Sequence, residues 1–173
     1  MQVLTRLLCF IGITSLLKYL FKTIKTKEQD EEFSKREIYM MLGSNLYNNF
    51  QYEDAIKYYN KSHAIKQTDV CFFNRATCYI ALQNYILAID DITSAMALTP
   101  NQANFYFVRG HCYYDTECYC EAYDDWKIAA QLGCKKAKKG LIELAFNIKN
   151  QYNSTTELCH LSLVKYEATI YLN

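Results

Sequence analysis

Helix breakers are scarce in this chain, with one proline and five glycines in 173 residues. That scarcity argues against a loop-rich chain and for helices joined by short turns. An excess of one charge is also missing. Nineteen basic and 18 acidic side chains leave a formal net charge of +1, so no global field argues for nucleic acid. No CxxC pair occurs among the eight cysteines (Cys9, Cys71, Cys78, Cys112, Cys118, Cys120, Cys134 and Cys159), which excludes a zinc ribbon or a thioredoxin motif. No phosphate loop, HExxH or nucleophile elbow appears. His63, His111 and His160 have no sequence neighbour that suggests a triad. Apolar residues make up 51% and charged residues 21%, which excludes both a disordered chain and one wholly embedded in a membrane.

What is present begins with an uneven placing of charge. Residues 1–27 carry Arg6, Lys18, Lys22, Lys25 and Lys27 and no acid; residues 28–37 then carry Glu28, Asp30, Glu31, Glu32 and Glu37. Within the basic part, "LLCFIGITSLL" (7–17) is an uncharged apolar run of eleven residues, short of the roughly 20 that span a bilayer. If Arg6 and Lys18 snorkel, the stretch grows to residues 3–21, about long enough. The leading expectation is an uncleaved, N-terminal hydrophobic helix that anchors the chain in a membrane. The runner-up is a cleaved secretion signal, although no clear small-x-small site follows. A mitochondrial presequence and a helix packed on the rest of the fold also remain open. Lys22, Lys25 and Lys27 after the run outweigh Arg6 before it, which favours a cytoplasmic C-terminal domain.

Further along, three stretches align: "LGSNLYNNFQYEDAIKYYNKSHAI" (42–65), "RATCYIALQNYILAIDDITSAMAL" (75–98) and "RGHCYYDTECYCEAYDDWKIAAQL" (109–132). Ala55, Ala88 and Ala122 mark the phase, at spacings of 33 and 34 residues. Tyr52, Tyr85 and Tyr119 sit three before that alanine, and Gly43, Ala76 and Gly110 twelve before it. Tyr59, Ile92 and Trp126 sit four after it; Ser62, Ala95 and Ala129 seven after it. Small residues at fixed places with aromatics between them let short antiparallel helices approach closely, and a fixed period stacks such pairs into a solenoid.

This pattern resembles the tetratricopeptide repeat (TPR) family over residues 36–134. The resemblance implies an all-α, right-handed α-solenoid of antiparallel helix pairs, near 36–49/52–66, 69–82/85–98 and 102–115/118–132. Ser34 with Glu37 reads as a capping box that starts the first helix. "KKAKKGLIELAFNIK" (135–149) places Ala137, Leu141, Leu144, Ala145 and Ile148 at helical spacing, as a helix capping the last repeat would. The expected organisation is a hydrophobic segment (1–21), a charged linker (22–35), three repeats (36–134), a capping helix (135–150) and a tail of unassigned structure (151–173).

The resemblance also implies a concave groove, lined by the first helix of each pair, that takes a peptide segment of a partner protein. The matching positions are Met40, Ser44 and Tyr47; Phe73, Asn74, Thr77 and Ile80; and Phe107, Val108, His111 and Tyr114. This apolar and aromatic floor suits an amphipathic helix or an extended segment with Leu-like anchors. One TPR subset clamps the C-terminal carboxylates of Hsp70 and Hsp90 with Lys, Asn, Asn, Lys and Arg. Met40, Ser44, Asn74, Asn104 and Val108 stand at those places here, and only Asn74 agrees. Without the cations two buried carboxylates would lack partners, so no carboxylate clamp is expected.

The remaining chemistry-bearing residues have structural readings. Arg75 and Arg109, at one equivalent place, read as repeat-to-repeat contacts. Cys78 and Cys112 share a small packing position and read as core. A metal or redox site of His111, Cys118, Cys120 and Cys134 is the weaker alternative. Asp90/Asp91 and Asp124/Asp125 read as solvated acids on the outer helices. Sequons at Asn60 and Asn153 matter only in a secretory lumen.

The function expected is a non-enzymatic protein–protein interaction module, membrane-tethered through residues 3–21 as an adaptor or scaffold. It needs no cofactor, metal, nucleic acid or small-molecule substrate. An anchor followed by a cytosolic TPR domain is similar to the arrangement in mitochondrial outer-membrane import receptors. The alternatives are an exported TPR protein with a cleaved signal, acting in envelope assembly, and the cysteine-based protein above.

Overall fold

The computed structural model describes the backbone of residues 2–151 and the side chains of residue 15 and residues 17–144. Among the described residues seven helices follow one another: α1 (Gln2–Asn48), α2 (Tyr52–Ile65), α3 (Asp69–Ala81), α4 (Tyr85–Leu98), α5 (Ala103–Asp115), α6 (Tyr119–Gln131) and α7 (Lys135–Gln151). No strand occurs among the described residues. Each helix packs on the next along the chain, and α1 also reaches α3. The result is a right-handed solenoid of antiparallel pairs.

The repeat signature explains the packing. Ala55, Ala88 and Ala122 are fully buried, as are Ser62, Ala95 and Ala129. Tyr59, Ile92 and Trp126 fill the space that these small residues leave. Three core clusters result, one per repeat: Ala55, Tyr59, Cys71 and Cys78; then Phe72, Ala76, Ala88, Ile92, Ala95, Phe105 and Cys112; then Tyr123, Trp126, Ala129 and Ala130 with Ala137, Leu141 and Leu144 of α7. The last set shows what α7 does. Its apolar side covers Trp126, and Lys135, Lys136, Lys138 and Lys139 stay exposed, as a terminal helix of a stack requires.

Trp126 shows why two glycines are needed here. A Cβ on Gly110 would stand 2.5 Å from Trp126 Cδ1, and one on Gly140 would stand 3.0 Å from Trp126 Cδ2. The indole is held between α5 and α7, and its Nε1–H donates to the Phe107 carbonyl at 3.0 Å.

The turns repeat as faithfully as the core. Phe50, Gln83 and Glu117 have φ of 62°, 58° and 61°, and Gly133 has 92°. At each, two amides reach back to carbonyls of the preceding helix: Phe50 N to Tyr47 O and Gln51 N to Leu46 O, Gln83 N to Ile80 O and Asn84 N to Tyr79 O. The same pair recurs at Glu117/Cys118 and Gly133/Cys134. This is the Schellman closure, which satisfies orphan carbonyls at the cost of a left-handed residue. Only the last of the four turns uses glycine.

The main departure from expectation is α1. Residues 22–35, expected as a linker, run inside one 47-residue helix. Ser34 therefore caps nothing, because the chain is helical on both sides of it. Between Gly12 and Gly43 there is neither glycine nor proline to stop the helix. Glu37 takes a bond from Arg36 Nη2 at 2.5 Å instead of closing a capping box. Among the described residues no helix is long and apolar enough to cross a membrane. The side chains of residues 1–14 and 16, the tail 152–173, and the side chains of Ala145 and Ile148 lie outside the described residues.

Candidate functional site

The first helix of each pair (α1, α3, α5) carries the eleven residues expected in the groove. All are half-buried except His111, which is exposed. The structure seats many of them against the three core clusters. Met40 and Tyr47 pack on the first cluster, Phe73, Ile80 and Val108 on the second, and Phe107 and Tyr114 on the third.

Their polar atoms are engaged locally. The Ser44 and Tyr59 hydroxyls lie 3.3 Å apart, and the Thr77 hydroxyl donates to the Asn74 carbonyl at 2.7 Å. Tyr47 meets Tyr52 edge-on at 5.4 Å. Phe73 of α3 reaches Phe105 of α5 at 5.1 Å, joining the second and third repeats. In the third repeat the aromatic set is densest. His111 stands edge-on to Phe107 at 4.7 Å and to Trp126 at 5.1 Å, and Tyr114 lies 5.6 Å from Trp126. Burial of the ring against these aromatics pulls the His111 imidazole below its ordinary value, with Asp115 and Glu143 pulling the other way. Its edge still reaches solvent. The face thus offers aromatic and aliphatic surface with one weakly basic group, which suits apolar side chains of a segment laid across it.

Two acids depart from expectation. Asp91 and Asp125 are buried, at 6% and 4% exposure, not solvated. Arg75 Nε donates to Asp91 Oδ2 at 2.7 Å and Nη2 to Oδ1 at 2.5 Å. Arg109 holds Asp125 in the same way, at 2.7 and 2.8 Å. The third nitrogen reaches the preceding repeat: Arg75 Nη1 to Asn60 Oδ1 at 2.6 Å, and Arg109 Nη1 to Thr93 Oγ1 at 3.1 Å. The arginines are therefore repeat-to-repeat ties, as expected, but they work through aspartates that the sequence reading assigned to solvent. The available signal was the common 16-residue gap from each arginine to its aspartate. The burial is physically reasonable because a bidentate guanidinium satisfies both carboxylate oxygens. A second tie, Thr99 Oγ1 donating to Asp69 Oδ2 at 2.7 Å, joins the end of α4 to the start of α3.

Among the described residues no group of three or more His, Cys, Asp or Glu could hold a metal ion. Cys78 and Cys112 are fully buried, and burial pushes each thiol up to about 12. A thiol in that state is neither a metal ligand nor a nucleophile near neutral pH.

The fold defines a class: a helical-repeat scaffold, a protein–protein interaction module. The family model of the tetratricopeptide repeat matches residues 37–69, and the other two copies carry the same buried positions. Residues 37–69 thus match a tetratricopeptide repeat, and the fold of the described residues is that of a TPR solenoid.

Relatives are similar over part of the chain. The chain is 30% identical over 110 residues to rat (Rattus norvegicus) sperm-associated antigen 1, across 62% of this chain and 12% of that protein. It is 31% identical over 112 residues to pea (Pisum sativum) translocon at the outer membrane of chloroplasts 64, across 64% of this chain and 18% of that protein. It is 32% identical over 59 residues to the mitochondrial import receptor subunit TOM70 of Saccharomyces cerevisiae, across 34% of this chain and 10% of that protein. The chain thus spans a small fraction of the length of these relatives.

Among solved structures, the Arabidopsis OM64 TPR domain superposes with a TM-score of 0.64 at 24% identity, covering 68% of this chain and 99% of that one. The first TPR of Spaghetti (RPAP3), bound to an HSP90 peptide, superposes at 0.63 and 22% identity, covering 67% and 94%. At these identities the likeness is one of fold.

Proposed function

We propose that this chain is a non-enzymatic adaptor that captures an apolar segment of a partner protein on the face formed by α1, α3 and α5. The observation that carries the reading is the run of half-buried apolar side chains along those helices, from Met40 through Phe73 and Ile80 to Phe107 and Tyr114, with His111 the one ionisable side chain other than tyrosine among the eleven. A segment with two or three large aliphatic anchors, helical or extended, complements it.

The segment is not a doubly charged carboxylate terminus of the kind bound by the HSP90-peptide relative. Met40, Ser44 and Val108 stand where such a ligand needs cations or an amide, and nothing there would balance two carboxylates. A small-molecule substrate and nucleic acid are likewise outside the proposal.

The chain is also proposed to associate with a membrane through its N-terminal part, residues 3–21, leaving the repeats on the cytoplasmic side. The acid-free lysine-rich start supports this, as do relatives named as a mitochondrial import receptor subunit and as a translocon at the outer membrane of chloroplasts.

The test is capture of binding partners by the full chain, compared with a Thr77→Arg/His111→Glu variant. Both positions lie on the proposed face and neither is in the core clusters. Loss of specific partners is expected with the helical circular dichroism spectrum kept and only a modest fall in melting temperature, since His111 gives up its contacts with Phe107 and Trp126. An identical partner set would remove the face from the account.

A further inference from the structure

The N-terminal half of α1 carries a surface that the solenoid does not use. Gln29, Glu32 and Phe33 of α1 share a cavity wall with Ile65 and Lys66. Residues before them project outward, with Leu17 48%, Leu20 47%, Phe21 70% and Ile24 54% exposed. At about 100° per residue these four fall within an arc of about 100° on one side of the helix. Lys18, Lys22 and Lys25, all exposed, follow at i, i+4 and i+7 and form one row beside that arc. Lys27 lies on its other flank. No acid occurs before Glu28.

We infer that residues 17–27 of α1 bind an anionic lipid surface, the apolar arc entering the headgroup layer and the lysine row pairing with lipid phosphates and carboxylates. This rests on the membrane reading above and specifies the chemistry of the contact. An apolar stripe flanked by lysines on a continuous helix is the pattern of an interfacial segment. The sign change that follows has a use. Glu28, Asp30, Glu31 and Glu32 are repelled by the same surface, which bounds the favourable contact at residue 27.

A second copy of the chain fits less well. An antiparallel α1 pair that sets Lys25 against Asp30 and Lys27 against Glu28 also sets Ile24 against Glu31 and Leu20 against Lys35. Those apolar groups would then face charges.

The test is flotation of the full chain with phosphatidylcholine vesicles and with phosphatidylcholine vesicles containing phosphatidylserine. Preference for the anionic vesicles is expected, weakening with salt. Lys18→Gln/Lys22→Gln/Lys25→Gln should lower affinity for them about a hundredfold, at about fivefold per lysine, and leave binding to neutral vesicles unchanged. Equal binding to both vesicles, unaffected by the triple variant, would overturn this inference while leaving membrane association intact. Binding to neither would overturn both. A lipid-free dimer in light scattering that Phe21→Asp dissociates, without vesicle binding, would assign the arc to a second copy and overturn the inference as well.

Discussion

Arg109 holds Asp125 with two nitrogens, at 2.7 and 2.8 Å, one repeat along from the same grip of Arg75 on Asp91. Each aspartate is nearly inaccessible, and each arginine spends its remaining nitrogen on the previous repeat. The pair therefore closes a helix hairpin and fixes its stacking in one arrangement.

Asp125→Ala leaves a guanidinium half-buried without its carboxylate. Allowing for the partial exposure of Arg109, it should cost about 2–3 kcal/mol, measured by urea unfolding. Arg109→Met combined with Asp125→Leu should recover most of that loss, since an apolar pair leaves no charge stranded. No recovery in the double variant would show that the tie to Thr93 matters more than the ion pair.

Gly110→Ala sets a methyl against the Trp126 ring at a distance that real Cβ contacts do not show. The indole must move and its bond to the Phe107 carbonyl weakens. A loss of about 1–3 kcal/mol is expected. Gly140→Ala is less crowded and should cost less, partly offset by the helix preference of alanine. Calorimetry on the two variants orders them.

Gln83→Gly and Glu117→Gly relieve left-handed residues at turns where Gly133 shows the unstrained solution. Each should add about 0.5–1 kcal/mol of stability. Gly133→Ala should remove a similar amount. A fall in melting temperature for Gln83→Gly would mean that its side chain contributes more than its backbone costs.

Stability should decline in alkali. Burial pushes the Cys78 and Cys112 thiols up to about 12 in the folded chain, while in the unfolded chain they ionise at the ordinary thiol value. A raised folded value gives stability that is complete below the unfolded value and is lost as pH rises toward the folded one. From about pH 9 upward the two thiols together should remove on the order of 3 kcal/mol per pH unit. Cys78→Ala/Cys112→Ala should flatten that slope. Folded protein at pH 8 should leave both thiols unmodified by a thiol reagent.

The repeat was legible because close packing needs small residues at fixed intervals, and these survive as a 33/34 spacing even where other positions drift. Gly110, Ala122 and Trp126 carry it in full. The continuity of α1 was not legible. Ser34 and Glu37 imitate a capping box, and only the absence of breakers from residue 13 to residue 42 indicated one continuous helix. Asp91 and Asp125 were misassigned because a charge on an outer helix reads as solvated until its partner is found, and that partner lies 16 residues away on another helix. The left-handed turns were hidden for a simpler reason, since Phe50, Gln83 and Glu117 are not residues that mark such a backbone.

The candidate face was legible as a set of positions, not as a surface. Phe73 and Phe107 looked like free anchors, yet Phe73 touches Phe105 and Phe107 packs into the third cluster. Thr77 and His111 probe the face with less risk to the fold.

The central claim, that a partner segment lies across α1, α3 and α5, is tested most directly by site-specific photo-crosslinking in the full chain. A photoreactive residue at Thr77 on α3 should crosslink the captured partner, and one at the exposed Asp90 on α4 should not. Crosslinking from Asp90 and none from Thr77 would place the partner on the outer helices and contradict the account.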